Sequence, residues 1–153
     1  MQTRYVVDTT ILVSWLLDPN KLTGRVVRSL ELELYTPYQS VSELWKHRDD
    51  WSKKRPGLDL PAFTDSIGRY VNVEMVDRSS KEMNEARFVM EKIDSDDVEF
   101  VALAIKRDVP IWSHDKHFLK QKRVKVVTSQ DILEQSVELP SLWEALREEP
   151  ANG

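Results

Sequence analysis

The sequence predicts an α/β fold, a three-layer α/β/α sandwich around a central parallel sheet of about five short strands. Two observations lead there. Short apolar runs of strand length alternate with longer segments of helical spacing, the pattern of a parallel sheet covered on both faces. The length, 153 residues, suits one domain with a proper hydrophobic core.

The elements follow in chain order. Residues 4–7 (RYVV) read as a short buried strand, and Thr9 to Leu17 as a helix capped by Asp8 or Thr9. Lys21 to Leu32 shows helical spacing through Val26, Val27 and Leu30. Leu34 to Thr36 forms a short strand ending at Pro37. Ser40 to Trp51 reads as one helix with Val41, Leu44 and Trp45 on a face. Asp59 to Tyr70 is a weaker helix, and Val71 to Val76 is β-rich. Ser80 to Ile93 is helical, with Met83, Ala86, Phe88 and Met90 apolar. Asp97 to Arg107 is a helix apolar almost all round, hence buried. Residues 110–113 (PIWS) and 124–127 (VKVV) are strands, and a helix begins at Ser129 to Leu133. The domain is expected to span residues 1–137. The tail, residues 138–153, reads as a short amphipathic helix, with Leu142, Trp143 and Leu146 spaced for self-association or partner docking.

Composition excludes several classes. The chain has no cysteine, so no disulfide framework and no thiolate metal site. Its four glycines form no glycine-rich phosphate cradle. No apolar run approaches the roughly 20 residues of a membrane span. The first apolar stretch is interrupted by Asp8, unlike a signal peptide, so the expected location is cytoplasmic. The net charge of −4 has the wrong sign for a nucleic-acid binder on average. That average misleads when acids gather in one site and bases surround it.

In open parallel sheets the functional crevice lies beyond the carboxyl ends of the strands. Four stretches bring a carboxylate to that rim. Asp8 follows the first strand, and Asp115 follows the PIWS strand. Glu43 lies in the first turn of the helix after LYTP, and the "DSDD" run opens the helix leading into PIWS. Each acid has an ordinary alternative. Asp8 suits a helix cap, Glu43 a solvated partner of the helix dipole, and Asp115 a turn. Their convergence is the informative feature, because clustered carboxylates repel and a divalent cation removes that penalty. Carboxylate and water ligands suit Mg²⁺ or Mn²⁺.

Helical geometry separates the three aspartates of the run. Asp97 lies one turn before Phe100 and Val101, above the buried stripe. Asp96 sits over the more exposed Glu99 and Leu103, and suits a capping arrangement with Glu99. Asp94 is open between cap and outer ligand.

"YVVDTTILVSWL", "SVSELWKH", "DSDDVEFVALAIKRDVPIWSHDKHF" and "VKVVTSQDIL" together resemble a PIN domain. The resemblance is to the PilT N-terminus-like proteins that include VapC-type toxins. It runs from about Arg4 to Leu133, with residues 50–80 poorly matched. It implies a parallel sheet flanked by helices and a metal-dependent ribonuclease, with the family's acids falling on Asp8, Glu43, Asp97 and Asp115. Thr9 and Ser113 fall where the family often carries small hydroxyl or amide residues near the metal. Thr10 stands where many relatives have Asn or Ser, and Asp94 or Asp96 resembles the extra acids of a "DxDD" subgroup.

The expected function is therefore Mg²⁺- or Mn²⁺-dependent hydrolysis of RNA phosphodiester bonds, with one or two ions. Asp8, Asp97 and Asp115 would hold metal, and Glu43 would ligate a second ion or orient the attacking water. Strand alternation turns His114 away from Asp115. His47 shares a helical row with Glu43. Lys46, Lys116 and Lys120 are candidate RNA contacts beside the acids, set against a plain solvated surface. Trp15, Trp45 and Trp112 read as core. If the kinship with VapC-type toxins is close, the chain is a toxin paired with a small antitoxin, and a homodimer. A haloacid-dehalogenase-like phosphatase needs an aspartate where Thr10 stands, and a receiver domain needs paired acids after the first strand. A non-catalytic PIN-like module that binds RNA or protein is the alternative.

Overall fold

The computed structural model describes residues 2–29 and 31–135. Leu30 and the predicted tail, residues 138–153, lie outside the described residues. Five strands are present: β1 (Arg4–Val7), β2 (Glu33–Pro37), β3 (Val71–Glu74), β4 (Ile111–Trp112) and β5 (Val126–Val127). They form one parallel sheet in the order β3-β2-β1-β4-β5. The chain winds outward from β1 through β2 to β3, then crosses back to β4 on the other side of β1. The gap between β1 and β4 is thus a topological switch point, where a parallel sheet opens a crevice.

Eight helices surround the sheet among the described residues: α1 (Thr9–Leu17), α2 (Leu22–Val27), α3 (Tyr38–Lys46), α4 (Arg48–Lys54), α5 (Leu60–Tyr70), α6 (Lys81–Met90), α7 (Val98–Arg107) and α8 (Ser129–Gln135). Two apolar cores form on opposite faces, and side-chain alternation along β1 shows why. Tyr5 and Val7 pack with Ile11, Leu12, Trp15, Leu44, Phe63 and Ile67. Val6 packs with Met83, Phe100, Val101 and Phe118 on the other face. Both faces of the sheet are covered around its centre, so β1 and β4 are short apolar runs, as the sequence predicts, whereas the edge strand β3 exposes Asn72 and Val73.

Several boundaries differ from the sequence reading. The predicted helix at 21–32 is shorter and ends at Val27. The predicted helix from Ser40 to Trp51 is two helices broken at His47, whose backbone leaves the helical region (φ −105°, ψ 24°). The break lets the Trp51 indole Nε1 donate to the Leu44 carbonyl at 3.0 Å. No glycine or proline marks it, because the cause is a side-chain contact one turn away. Phe88 points outward from α6, while Met83, Ala86 and Met90 keep the buried stripe. Trp15 and Trp112 are buried as expected, and Trp45 is partly buried with its indole on Thr64 Oγ1 at 2.9 Å.

Candidate active site

The sheet places Asp8 at the switch point. It follows β1 directly and is only 3% exposed. Its two oxygens are held by different elements. Oδ1 accepts from the Thr10 hydroxyl at 2.6 Å and from the Ile11 N–H at 3.3 Å, capping α1. Oδ2 accepts from the Ser113 hydroxyl at 2.5 Å. Ser113 follows β4, and its Oγ also accepts the Asp115 N–H at 2.8 Å. The His114 N–H donates to Thr10 Oγ1 at 3.0 Å. The ends of β1 and β4 are therefore latched together, and Asp8 is both the cap and the hub of the rim. Thr10, noted in the sequence only as a departure, is one half of that latch.

The other acids approach the same place from three elements. Glu43 on α3 accepts from the Thr9 hydroxyl at 3.0 Å, which ties α3 to the start of α1. Asp115 opens the 3₁₀ turn Lys116–Lys120, its Oδ1 accepting the His117 N–H at 2.9 Å. Asp97 ends the 3₁₀ turn Ser95–Asp97, just before α7. Asp8, Thr9, Thr10, Glu43, Asp97 and Asp115 line one cavity of about 390 Å³, with Val13, Trp51 and Phe100 as its apolar wall and the His47 imidazole beside them. The four predicted acids are thus brought together, with Thr9 among them and Ser113 behind Asp8.

The electrostatics show the strain of this gathering. Burial, only partly offset by its hydrogen bonds, pushes the Asp8 carboxyl up to about 6. Burial also raises Asp97, to about 7, reinforced by the charges of Asp94, Asp115, Asp8 and Glu43. Asp97 Oδ2 is buried and finds no hydrogen-bond donor among the described residues. A carboxylate oxygen shut away from water and from donors, beside four other acids, is what a hard cation satisfies. The four carboxylates lining the cavity offer oxygen ligands, which suit Mg²⁺ or Mn²⁺.

The "DSDD" run takes one of the two roles left open for Asp94 and departs from the role expected of Asp96. Asp94, not Asp96, makes the cap, its Oδ1 accepting the Asp96 N–H at 3.0 Å. The expected Asp96–Glu99 capping arrangement does not form. Asp96 is exposed, and Glu99 faces Arg78 at 3.5 Å. The reason is that the run enters α7 through a tight 3₁₀ turn, which gives the cap to the residue before the turn. The Asp96 carbonyl accepts from Gln39 at 2.9 Å, which docks the turn on α3.

His114 turns away from the acids, with Nε2 at 3.0 Å from Ser129 Oγ, and burial lowers its pKa. Lys46, Lys116 and Lys120 are exposed, and none is in an ion pair among the described residues. Sequence reasoning missed His117, whose Nδ1 lies 3.5 Å from Asp94 and 3.7 Å from Asp115. The available signal was its place two residues after Asp115, where an aspartate-capped turn folds the ring back.

A parallel α/β sheet with carboxylates gathered at its switch point is the class of protein that the fold and the cavity define. Residues 6–136 match the family model described as PIN domain, and the chain belongs to that family. PIN domains are usually nucleases and typically use divalent metals. Two solved structures share the fold. A chain of VapBC2 from Rickettsia felis, bound to a DNA fragment from the promoter, is similar with a TM-score of 0.60 at 15% identity, over 82% of this chain and 98% of that one. PAE2754 from Pyrobaculum aerophilum is similar with a TM-score of 0.55 at 14% identity, over 90% of this chain and 99% of that one. No curated protein matches the sequence. No helix among the described residues is long and apolar enough to cross a membrane.

Proposed function

We propose that the protein is a metal-dependent endoribonuclease whose active site is the rim formed by Asp8, Glu43, Asp97 and Asp115. The observation that carries this reading is the buried, donorless Asp97 Oδ2 beside the other acids of one cavity. Asp8, Asp97 and Asp115 would hold Mg²⁺ or Mn²⁺, with Glu43 completing the set. A bound ion would polarise the phosphodiester and lower the pKa of water.

The chain's own residues do the remaining work. Ser113, Thr10 and the Ile11 N–H fix both oxygens of Asp8, so its carboxylate enters the reaction already oriented. Thr9 holds Glu43 Oε2, leaving Oε1 to orient or deprotonate an attacking water. Phe100, Val13 and Trp51 give the cavity an apolar wall, beside which charge interactions are stronger than in open water. Lys46, Lys116 and Lys120 are exposed and would take RNA phosphates.

The VapBC2 likeness supports a narrower form of the reading, in which the chain is a cytoplasmic toxin blocked by a small antitoxin. The homodimer, the single domain over residues 1–137 and the docking role of residues 138–153 belong to the same proposal. The test is cleavage of single-stranded RNA by wild type and Asp8→Asn, each with chelator and with Mn²⁺. Mn²⁺-dependent cleavage lost in the variant supports the nuclease. Equal cleavage by both proteins refutes it, and no cleavage with intact RNA binding favours the non-catalytic module.

A further inference from the structure

One imidazole outside the acid quartet faces the same rim. His117 stands in the 3₁₀ turn Lys116–Lys120, and Asp115 Oδ1 accepts its N–H at 2.9 Å. That turn folds the ring back over the acids, with Nδ1 3.5 Å from Asp94 Oδ2 and 3.7 Å from Asp115 Oδ1. Asp94 commits Oδ1 to the Asp96 N–H, which leaves Oδ2 toward the imidazole. His117, Asp94 and Asp97 each offer one ligand atom, and the three atoms lie within 4.8 Å of one another. Ligands on opposite sides of an ion bound at about 2.1 Å are about 4.2 Å apart. The triad is therefore within small side-chain rotations of enclosing one cation. Asp97 brings to this group the buried Oδ2 that has no donor among the described residues.

We propose that His117 Nδ1 is a metal ligand, completing with Asp94 and Asp97 a divalent-cation site of mixed nitrogen and oxygen donors at the outer edge of the rim. The inference rests on the reading that the rim acids hold metal. Asp97 is the member common to both groups, since it lies near Asp94 and also lines the cavity with Asp8, Glu43 and Asp115. A nitrogen donor changes which ion is preferred. Mg²⁺ favours oxygen ligands and water, whereas imidazole suits transition metals. The site should therefore favour Mn²⁺ over Mg²⁺. The competing role for His117 is an imidazolium paired with Asp94 and Asp115, with no contact to metal.

Pulsed electron paramagnetic resonance of Mn²⁺ bound to the full chain separates these roles, because a directly coordinated imidazole imprints ¹⁴N modulation on the echo. The expected result is such modulation in the wild type, its loss in His117→Gln and its retention in His47→Gln. Calorimetry should show Mn²⁺ affinity falling about tenfold or more in His117→Gln, with Mg²⁺ affinity changing much less. His117 is exposed, so the substitution leaves the core untouched. Bound Mn²⁺ without ¹⁴N modulation, or modulation that survives His117→Gln, overturns the assignment of His117. If that Mn²⁺ is still released by Asp97→Asn, the acid site itself stands. Failure of the wild type to bind Mn²⁺ overturns both.

Discussion

Asp97→Asn in metal-free protein isolates the charge problem at the heart of the rim. Asparagine keeps the size of the side chain and removes the charge, and its amide can donate to the neighbouring carboxylates. Burial and four nearby acids push the Asp97 carboxyl up from 3.8 to about 7. The folded protein then binds this proton more tightly than the unfolded chain does. The resulting stabilisation is present below the unfolded value and is lost as pH rises through about 7. A change of that size corresponds to about 4 kcal/mol for a fully buried group. Asp97 is only half-buried, and solvent screening reduces this to about 1–2 kcal/mol. At about 2–4 °C per kcal/mol for a chain of this size, the variant should melt about 2–8 °C higher than wild type at pH 8 in chelator. The gap should close by about pH 4, where the folded carboxyl is protonated. Excess Mn²⁺ should raise the wild type more than the variant, because a cation stabilises the state that binds it. Thermal melts followed by circular dichroism read all three. A variant that melts at or below wild type at pH 8 in chelator would refute the reasoning, because the acids would then not be working against one another.

Two further outcomes test the fold that carries the site. Asp96→Asn should change stability by less than about 0.5 kcal/mol in chemical denaturation, since Asp96 is exposed and its side chain holds no cap. Gly24→Ala should cost about 1–3 kcal/mol in the same assay. An added Cβ would lie 2.7 Å from the Pro19 carbonyl oxygen and 2.9 Å from Trp15 Cδ1, and backbone on one side cannot yield.

The sheet was legible because β1, β2, β4 and β5 are short runs of mostly buried residues, and such runs need no partner to be recognised; β3 at the edge, with Asn72 and Val73 exposed, was legible from its β-rich composition. The acid rim was legible for a related reason. Once parallel strands are assigned, the residues after β1 and β4 must share an edge, so Asp8 and Asp115 fall on one rim. What stayed hidden depends on contacts between elements. The break at His47 follows from the Trp51 indole reaching the Leu44 carbonyl, a bond with no local signature. The exchange of capping duty from Asp96 to Asp94 turns on one residue of 3₁₀ geometry, finer than helical spacing resolves. His117 was missed because its role comes from the turn after Asp115, a segment without hydrophobic periodicity. The latch of Thr10 and Ser113 across Asp8 required the paired register of β1 and β4.

The central claim is that a cation held by the rim acids performs the chemistry, and two adjacent residues test it most directly. Asp96 and Asp97 share one turn and one charge, yet only Asp97 lines the cavity. The decisive measurement is the initial rate of Mn²⁺-dependent RNA cleavage by Asp97→Asn beside Asp96→Asn. The account predicts a loss of about a hundredfold or more for Asp97→Asn and a near wild-type rate for Asp96→Asn. Equal losses in both, or a loss confined to Asp96→Asn, would contradict it.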